Sequence, residues 1–557
     1  MAANKKPVKL RFAIMCDSLQ FPQWQANVIK KLLSHKNIQC RLLIINQGHS
    51  ILDKIKRVRP KNFLWFIYSL YLALVSKANQ SIDLTPLLSN IPKLPVHTRK
   101  KGKHSQYFYS SDIRKIKSHQ LDFILRFSFN IIRGDILSSA KYGVWSFHHG
   151  DEQKYRGGPP CFWEIYQNSL ITAGILQRLT PKLDAGIVLK KGYLKTNHSY
   201  IKNRDQMSFV SSDWPTKVCL DILNRQANYL HHPSSTTKAP IYSYPTNLQL
   251  IKFLILTTIK QISSLIKTLF WADHWNIGII PQPIHTFITK PNPKLINWYP
   301  RLPQTRFLAD PFALVDPQDK TKLHLFYEDF QFTKNKGCIS YLAYQNGQFS
   351  SPQTIINQLF HLSYPYVFKH HHHYYLLPEA SQTNQVVLYQ ATNFPLKWKK
   401  HQILLNNFAG VDNTLIYHHQ TWWLFSSNKH SHENSQLYLF YSPNLSQPFT
   451  SHPQNPVKTD VRSAKSAGTI YKHKDKLYRP AMNCSEKYGG SITINQILAL
   501  TKTHYQETKF KAIPYAHTIS QVNHFTLIDD HQPIFIFKNP NLIIYNLKKS
   551  INKLLQP

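Results

Sequence analysis

Residues 143–163 read GVWSFHHGDEQKYRGGPPCFW. An apolar run, Val144 to Phe147, ends in His148 and His149. A polar loop follows and closes in Arg156, the Gly157–Gly158 pair and two prolines. This pattern describes a strand that delivers polar side chains to its C-terminal end, then a loop whose backbone needs turns that glycine tolerates best. Glycine usage points to the same place. The chain has 17 glycines in 557 residues, and eight of them fall between 134 and 192.

Outward from this stretch, strand-like and helix-like runs alternate through the first 230 residues. VKLRFAIMC (8–16), CRLLIIN (40–46) and LDFILRFSF (121–129) read as buried strands. PQWQANVIKKLLSHKN (22–37) has the spacing of an amphipathic helix, and ITAGILQRLT and GIVLKKGYLKT are two further strands. Such alternation predicts an α/β, Rossmann-like domain on a parallel sheet. In an open sheet of that kind, a His at a strand's C-terminal end lies where ligands bind. A carboxylate beside it would raise its pKa and orient its ring. LDAGIVL (183–189) offers Asp184 for that role. Taken singly, His148 reads as a strand-end residue and Asp184 as a turn former; their joint spacing with Arg156-Gly157 makes them a candidate pair.

Those spacings resemble the N-terminal domain of folate-dependent formyltransferases. That family shows Asn-x-His, then Arg-Gly eight and nine residues after the His, then Asp-x-Gly. Here His148, Arg156-Gly157 and Asp184-Ala185-Gly186 match, over roughly residues 8–225. The resemblance implies that an amine attacks the formyl carbon of N10-formyltetrahydrofolate. His148 would move the proton and Asp184 would hold His148. Arg156, Gly157 and Asp151 would lie toward the cofactor. Ser146 stands where the family has the Asn that donates to the oxyanion, and a hydroxyl is a poorer fixed donor than an amide. His149 is secondary, and Cys161 has no partner placed by sequence.

From about residue 276 the texture changes to short β-rich runs. ADPFALV (309–315), YPYVFKH (364–370), VDNTLIY (411–417), AGTIYKH (467–473) and VNHFTLI (522–528) recur at intervals near 50 residues. Each precedes a second apolar strand, so five repeats of about one four-stranded sheet predict an all-β five-bladed propeller. WNIGII (275–280) is available to close the ring with the last repeat. FLADPF, YEDF, HLSYPYVF, PEA, VDNTLI and YGG resemble the N-terminal domain of glucosamine inositolphosphorylceramide transferases, a domain related to five-bladed glycoside-hydrolase propellers. The resemblance implies carboxylates meeting in a central funnel, with Asp310, Glu379 and Asp412 as the trio, for catalysis or glycan binding. The His370–His373 run reads as a hairpin tip rather than a metal site, and no metal is expected.

The domains are therefore expected at 1–230 and 275–557, with a Pro- and Ser/Thr-rich linker and an amphipathic helix over 231–274. Lys+Arg number 68 against 28 Asp+Glu, a formal net charge of +40. The excess attracts anionic partners, but no helix-turn-helix, zinc finger or RNP-like motif gives it nucleic-acid specificity. Six widely spaced cysteines without a CxxC argue for reduced thiols. The N-terminal apolar run is too short for a signal peptide, so a cytoplasmic, membrane-peripheral protein is expected. Residues 247–271 would carry any contact with an anionic membrane surface. Two functions stand. In one, the α/β domain formylates an amine of a sugar or sugar nucleotide while the propeller holds a glycan. In the other, a carbohydrate-binding or glycoside-hydrolase-like propeller carries a degenerate formyltransferase fold.

Overall fold

The computed structural model describes residues 9–48, 59–102, 105–182, 185–290, 292–514, 516–535 and 546–547. The chain divides into two compact units, Met1–Gln261 and Ile262–Pro557.

Unit 1 is built on a seven-stranded sheet: β1 (Leu10–Cys16), β2 (Ile38–Asn46), β3 (Lys93–Val96), β4 (Phe123–Arg126), β5 (Val144–His148), β6 (Ile171–Arg178) and β7 (Ile187–Lys195), in spatial order β7-β6-β5-β4-β1-β2-β3. The strands from β3 across to β5 run parallel, as the alternating pattern predicts. β6 and β7 are antiparallel, which corrects the expectation of a wholly parallel sheet. Only residues 179–186 join β6 to β7, too few for a parallel crossover.

The parallel strands read as continuous apolar runs because both faces are covered. Phe12 and Ile14 share one core with Phe123, Trp145 and helix α1 (Gln23–Leu33). Ala13 and Met15 share the other with Ile124 and Ile113. Helix α2 (Phe63–Val75) follows β2, and Ile113 belongs to α3 (Ser110–Ser118). Helices α4 (Tyr200–Ser211), α5 (Trp214–Leu223) and α6 (Asn247–Phe270) come after the last strand. The segment expected as a linker, 231–246, is docked rather than free. Ile241–Tyr242 pair in parallel with Arg156–Gly157, and Tyr242 stacks on Trp163 with ring centroids 4.8 Å apart. All six cysteines are buried thiols.

Among its described residues, unit 2 forms five antiparallel sheets. The first contains Arg306–Val315, Leu323–Gln331 and Lys336–Gln345; the second runs from Ser363–His370 to Lys397–Asn406. The third contains Gly410–His418, Thr421–Asn428 and Gln436–Ser442, and the fourth Tyr471–His473 to Tyr505–Ile513. The fifth joins the two ends of the unit: Trp271–Ile280 pairs along its whole length with Phe525–Phe535. Apolar side chains fill the spaces between successive sheets, as with Leu308 and Leu527, Phe312 and Leu376, or Phe425 and Leu477. The histidine run forms a hairpin tip, with His370 opposite His373 and His371 at φ 51°.

A backbone feature repeats. Asp310, Tyr364, Asp412, Gly468 and Ala516 have φ of 53°, 45°, 49°, 121° and 71°. In the first three sheets the ladder shifts register at this point, as a β-bulge requires. The intervals are 54, 48, 56 and 48 residues. The sequence repeat is thus a structural one, although its fifth copy is phased on Ala516 and not on His524.

Candidate functional site

In unit 1 the strand and loop of the opening stretch form as expected, but the chain itself occupies their polar groups. Ser146 on β5 is buried; its Oγ accepts from Arg126 Nε at 3.1 Å and Nη2 at 2.9 Å and donates to the Phe147 carbonyl at 3.4 Å. Arg126 is itself anchored on the Phe129 and Asn130 carbonyls. The Ser146 hydroxyl is thus held by Arg126 within the sheet. His148 Nε2 lies 2.7 Å from the Tyr155 carbonyl, so that nitrogen carries the proton and donates it. Gly150 closes the turn over this bond: a Cβ there would come within 2.8 Å of the ring. His149 is bonded to Ser211 at 3.0 Å, and burial, with His148 adding to it, pushes its pKa down to about 3.

The loop acids are tied down as well. Lys191 on β7 bridges Asp151 at 2.7 Å and Glu152 at 2.9 Å, so Asp151 is held in an ion pair. Burial would lower the Lys191 pKa, but hydrogen bonds to these two carboxylates raise it above its ordinary value. Arg156 Nη1 donates to the Ala239 carbonyl at 3.3 Å. Gly157, at φ 83°, admits the Tyr242 carbonyl 2.1 Å from where a Cβ would stand. The glycine loop thus accommodates the returning segment 239–242. Asp184 lies outside the described residues. Ser146, Asp151, Arg156 and Gly157, the residues the resemblance places at the oxyanion and toward N10-formyltetrahydrofolate, all make contacts within the chain.

Unit 2 brings Asp310, Glu379 and Asp412 together, and adds acids that sequence reasoning missed. Buried carboxylates cap the amides of three of the left-handed residues. Asp529 Oδ2 accepts from Asp310 N at 2.7 Å, Asp310 Oδ2 from Tyr364 N at 3.2 Å, and Glu379 Oε2 from Asp412 N at 3.1 Å. Gly468 N donates to the Tyr364 hydroxyl at 2.7 Å, and the same hydroxyl lies 3.0 Å from Thr414 Oγ1. The network therefore links all of the first four sheets with the fifth. His517 Nδ1 sits 3.7 Å from Asp310 and 3.4 Å from Asp529, and Thr518 Oγ1 donates to Asp310 at 2.9 Å. Lys465 pairs with Asp412 at 2.7 Å. Asp310, Glu328, Glu379 and Asp412 keep 5–7% exposure, whereas Asp529 keeps none and serves as the cap of Asp310.

Concentrating acids in a dry interior shifts them toward the neutral form. Burial raises Asp310 to about 7; His517 opposes the shift and Asp529 and Asp412 reinforce it. Burial, with Asp412 beside it, raises Glu379 to about 8 against the pull of Lys465. Glu328 moves the same way through burial and the Asp310 and Glu379 charges. For Lys465, burial acts to lower the pKa, but Asp412, Glu433 and Glu379 outweigh it and raise it. A structural acid in the same unit behaves oppositely. Burial would raise Glu507, yet Arg479 and Lys458 bring it to about 2, through bonds of 2.9 and 2.6 Å from Arg479 and 2.6 Å from Lys458. The central acids have fewer partners than they have lone pairs, so they retain capacity for a ligand.

Glu328 was visible in principle. It lies on the second strand of the first sheet, opposite Ala309, as Glu379 lies opposite Ser363 in the second. Asp529 and His517 were hidden by the misphased fifth repeat. Lys465 lies between repeats, where no periodicity reaches it.

Residues 300–524 match the family model described as glucosamine inositolphosphorylceramide transferase 1, N-terminal. Glucosamine inositolphosphorylceramide transferase 1 of Oryza sativa subsp. japonica is 33% identical over 210 residues, covering 36% of this chain and 28% of that protein. The Arabidopsis thaliana protein of the same name is 33% identical over 212 residues, covering 37% of this chain and 27% of its own length. The chain thus spans under a third of the curated relatives it matches. Among solved structures, Zg3597, a family 117 glycoside hydrolase of Zobellia galactanivorans, aligns with a TM-score of 0.32 at 11% identity, over 47% of this chain and 91% of its own. A sugar N-formyltransferase from a Shewanella species aligns with a TM-score of 0.27 at 10% identity, over 42% of this chain and 76% of its own.

Proposed function

We propose that this chain is a carbohydrate-active protein whose sugar-handling centre is the acid cluster in the middle of unit 2, read as the funnel of a five-bladed propeller. The observation that carries the reading is the clustering of Asp310, Glu328, Glu379 and Asp412, all buried, around the 2.7 Å Asp412–Lys465 pair, and burial shifts two of these acids toward the neutral form. Asp310 and Glu379, shifted to about 7 and about 8, are partly or mainly carboxylic acids at neutral pH, beside the Asp412–Lys465 pair. Groups with pKa values displaced toward neutrality in one cluster are what acid–base work on a glycosidic or phosphoester oxygen needs. The same O–H and carboxylate groups are the natural partners of sugar hydroxyls and of an amino sugar's ammonium. Glu379 is the proton donor in this reading. Asp412, fixed by Lys465, supplies the negative charge that faces a developing cation. Similarity of residues 300–524 to an N-terminal segment of glucosamine inositolphosphorylceramide transferases supports a sugar-bearing substrate of the glucosamine type.

In this reading the chemistry lies in unit 2. The test is a glycan array followed by titration calorimetry on the best amino-sugar glycans, with Glu379→Gln and Asp310→Asn beside the parent chain. Binding or turnover lost in both variants, with melting retained, is the expected outcome. A parent chain that binds and cleaves nothing overturns the reading. So does turnover of N10-formyltetrahydrofolate with amino-sugar nucleotides that disappears in His148→Ala.

A further inference from the structure

We propose that unit 1 docks on an anionic lipid bilayer through the outward faces of α2 and α6, with both helices lying in the interface. Each helix is apolar on two opposite sides. α2 buries Trp65 and Leu72, yet Phe63, Ile67, Leu70, Tyr71 and Leu74 are 49–84% exposed, an i, i+4, i+7, i+8, i+11 stripe. α6 buries Leu250, Phe253 and Thr257, and on its opposite side Leu248, Ile251, Ile255 and Ile259 are 43–79% exposed. A solvent-facing helix normally shows polar residues on that side.

The two stripes belong to one surface. The helices start side by side: Asn62 Nδ2 donates to the Tyr244 and Pro245 carbonyls at 3.1 and 2.6 Å, and Asn247 Oδ1 accepts from Leu64 N at 3.1 Å. Both press on the same aromatic nucleus. Trp65 and Phe253 lie 5.5 and 4.3 Å from Phe162, and 6.0 and 6.1 Å from Tyr200. Their free faces therefore point away from this nucleus. Where the helices begin, a cleft of about 550 Å³ is lined by Arg59, Pro60, Phe63, Leu64 and Asn247.

Charge identifies the occupant. No Asp or Glu occurs from Arg59 to Gln80 or from His231 to Ala272, while Arg59, Lys61, Lys77, Lys252 and Lys260 flank the stripes. Lys252 lies over the Tyr166 ring at 5.6 Å and Lys260 bonds Asn168 at 2.6 Å, both beside the apolar face and within reach of a headgroup layer. Two copies of this face would oppose five cations with five cations, so self-association is disfavoured, whereas apolar insertion bordered by lysines suits anionic lipid. α6 has 24 residues and a mean hydropathy of 1.3 over its most apolar window, long enough to span a bilayer. Leu250, Phe253 and Thr257 nevertheless hold it against unit 1, so it lies on the membrane.

The experiment uses the full chain in co-sedimentation with vesicles of phosphatidylcholine alone or mixed with phosphatidylserine. Two pair variants, Leu70→Glu/Leu74→Glu and Ile255→Glu/Ile259→Glu, replace exposed positions only; thermal melts establish that they fold. The parent should bind the mixed vesicles, less so as salt rises, and each pair should weaken binding by about tenfold or more. Absence of parent binding at low salt overturns the proposal. Undiminished binding by both folded pairs overturns it too, as does a parent dimer in light scattering that either pair dissolves while vesicles go unbound.

Discussion

At the residue scale, the acid cluster and its lysine set two expectations. Lys465 is 2% exposed and Asp412 6%. Removing one partner of a buried pair strands the other charge, which costs about 3–5 kcal/mol. Lys465→Met should lower the stability of unit 2 by that order in denaturant titration, and adding Asp412→Asn should recover most of the loss. Recovery would identify the stranded carboxylate as the cause and set aside lost packing. The second expectation concerns pH. The native chain keeps protons on Asp310 and Glu379 up to about 7 and about 8, whereas the unfolded chain releases them near 3.8 and 4.5. Between these limits the native state binds more protons, so stability falls as pH rises from about 4 to 8 and levels off above that. Asp310→Asn together with Glu379→Gln should flatten this decline and raise the melting temperature at pH 8. A steeper decline in the double variant would contradict the assignment. Stability gained there while sugar binding is lost would mark these acids as kept for function.

At the element scale, what the sequence made legible depended on whether burial wrote a period into it. β1, LRFAIMC, was plain because sheet partners and helices cover both its faces. α4, YIKNRDQMSFVS, was not, because it buries Asn203, Asp205, Ser208 and Ser211. Asn203 donates to the Cys161 carbonyl at 3.2 Å and Asp205 accepts from Ser76 at 2.6 Å. A polar buried face carries no apolar signal. The direction of β6 and β7 was likewise invisible to composition, though the short joint between them encodes it. The glycine cluster was legible as a place and misleading as a purpose. Gly157 sits at φ 83° with the Tyr242 carbonyl passing over it. Gly157→Ala should therefore release Ile241–Tyr242 from Arg156–Gly157. Limited proteolysis should find new cleavage within 231–246, with the sheet of unit 1 still protected from hydrogen exchange. Unchanged protection of 231–246 would mean that the alanine is accommodated and that this strand pair does not depend on the glycine.

At the scale of the whole molecule, each unit closes on itself in a different way, and this separates their stabilities. Unit 1 covers a sheet with helices on both sides, so its contacts are spread over the first 261 residues. Unit 2 joins Trp271–Ile280 to Phe525–Phe535 across some 250 residues of chain, and that ladder holds the fifth sheet between the fourth and the first. Ile277 and Ile279 are fully buried there beside Leu308, Leu325 and Leu527. An aspartate at 277 would be a charge in that apolar layer with no counter-ion, and it would have to protonate or break the closure. Ile277→Asp should therefore lower the unfolding transition of unit 2 as a whole, including the Asp310–Asp529 contact, because Asp529 pairs directly with residue 277 across the two strands, while the transition of unit 1 stays in place. Hydrogen exchange read by mass spectrometry distinguishes the cases. Loss of protection in all five sheets together, with β1, β4 and β5 unchanged, is the expected pattern. Loss confined to Trp271–Ile280 and Phe525–Phe535 would show that the other four sheets stand without the closure, and that Asp529 alone of the central acids depends on it.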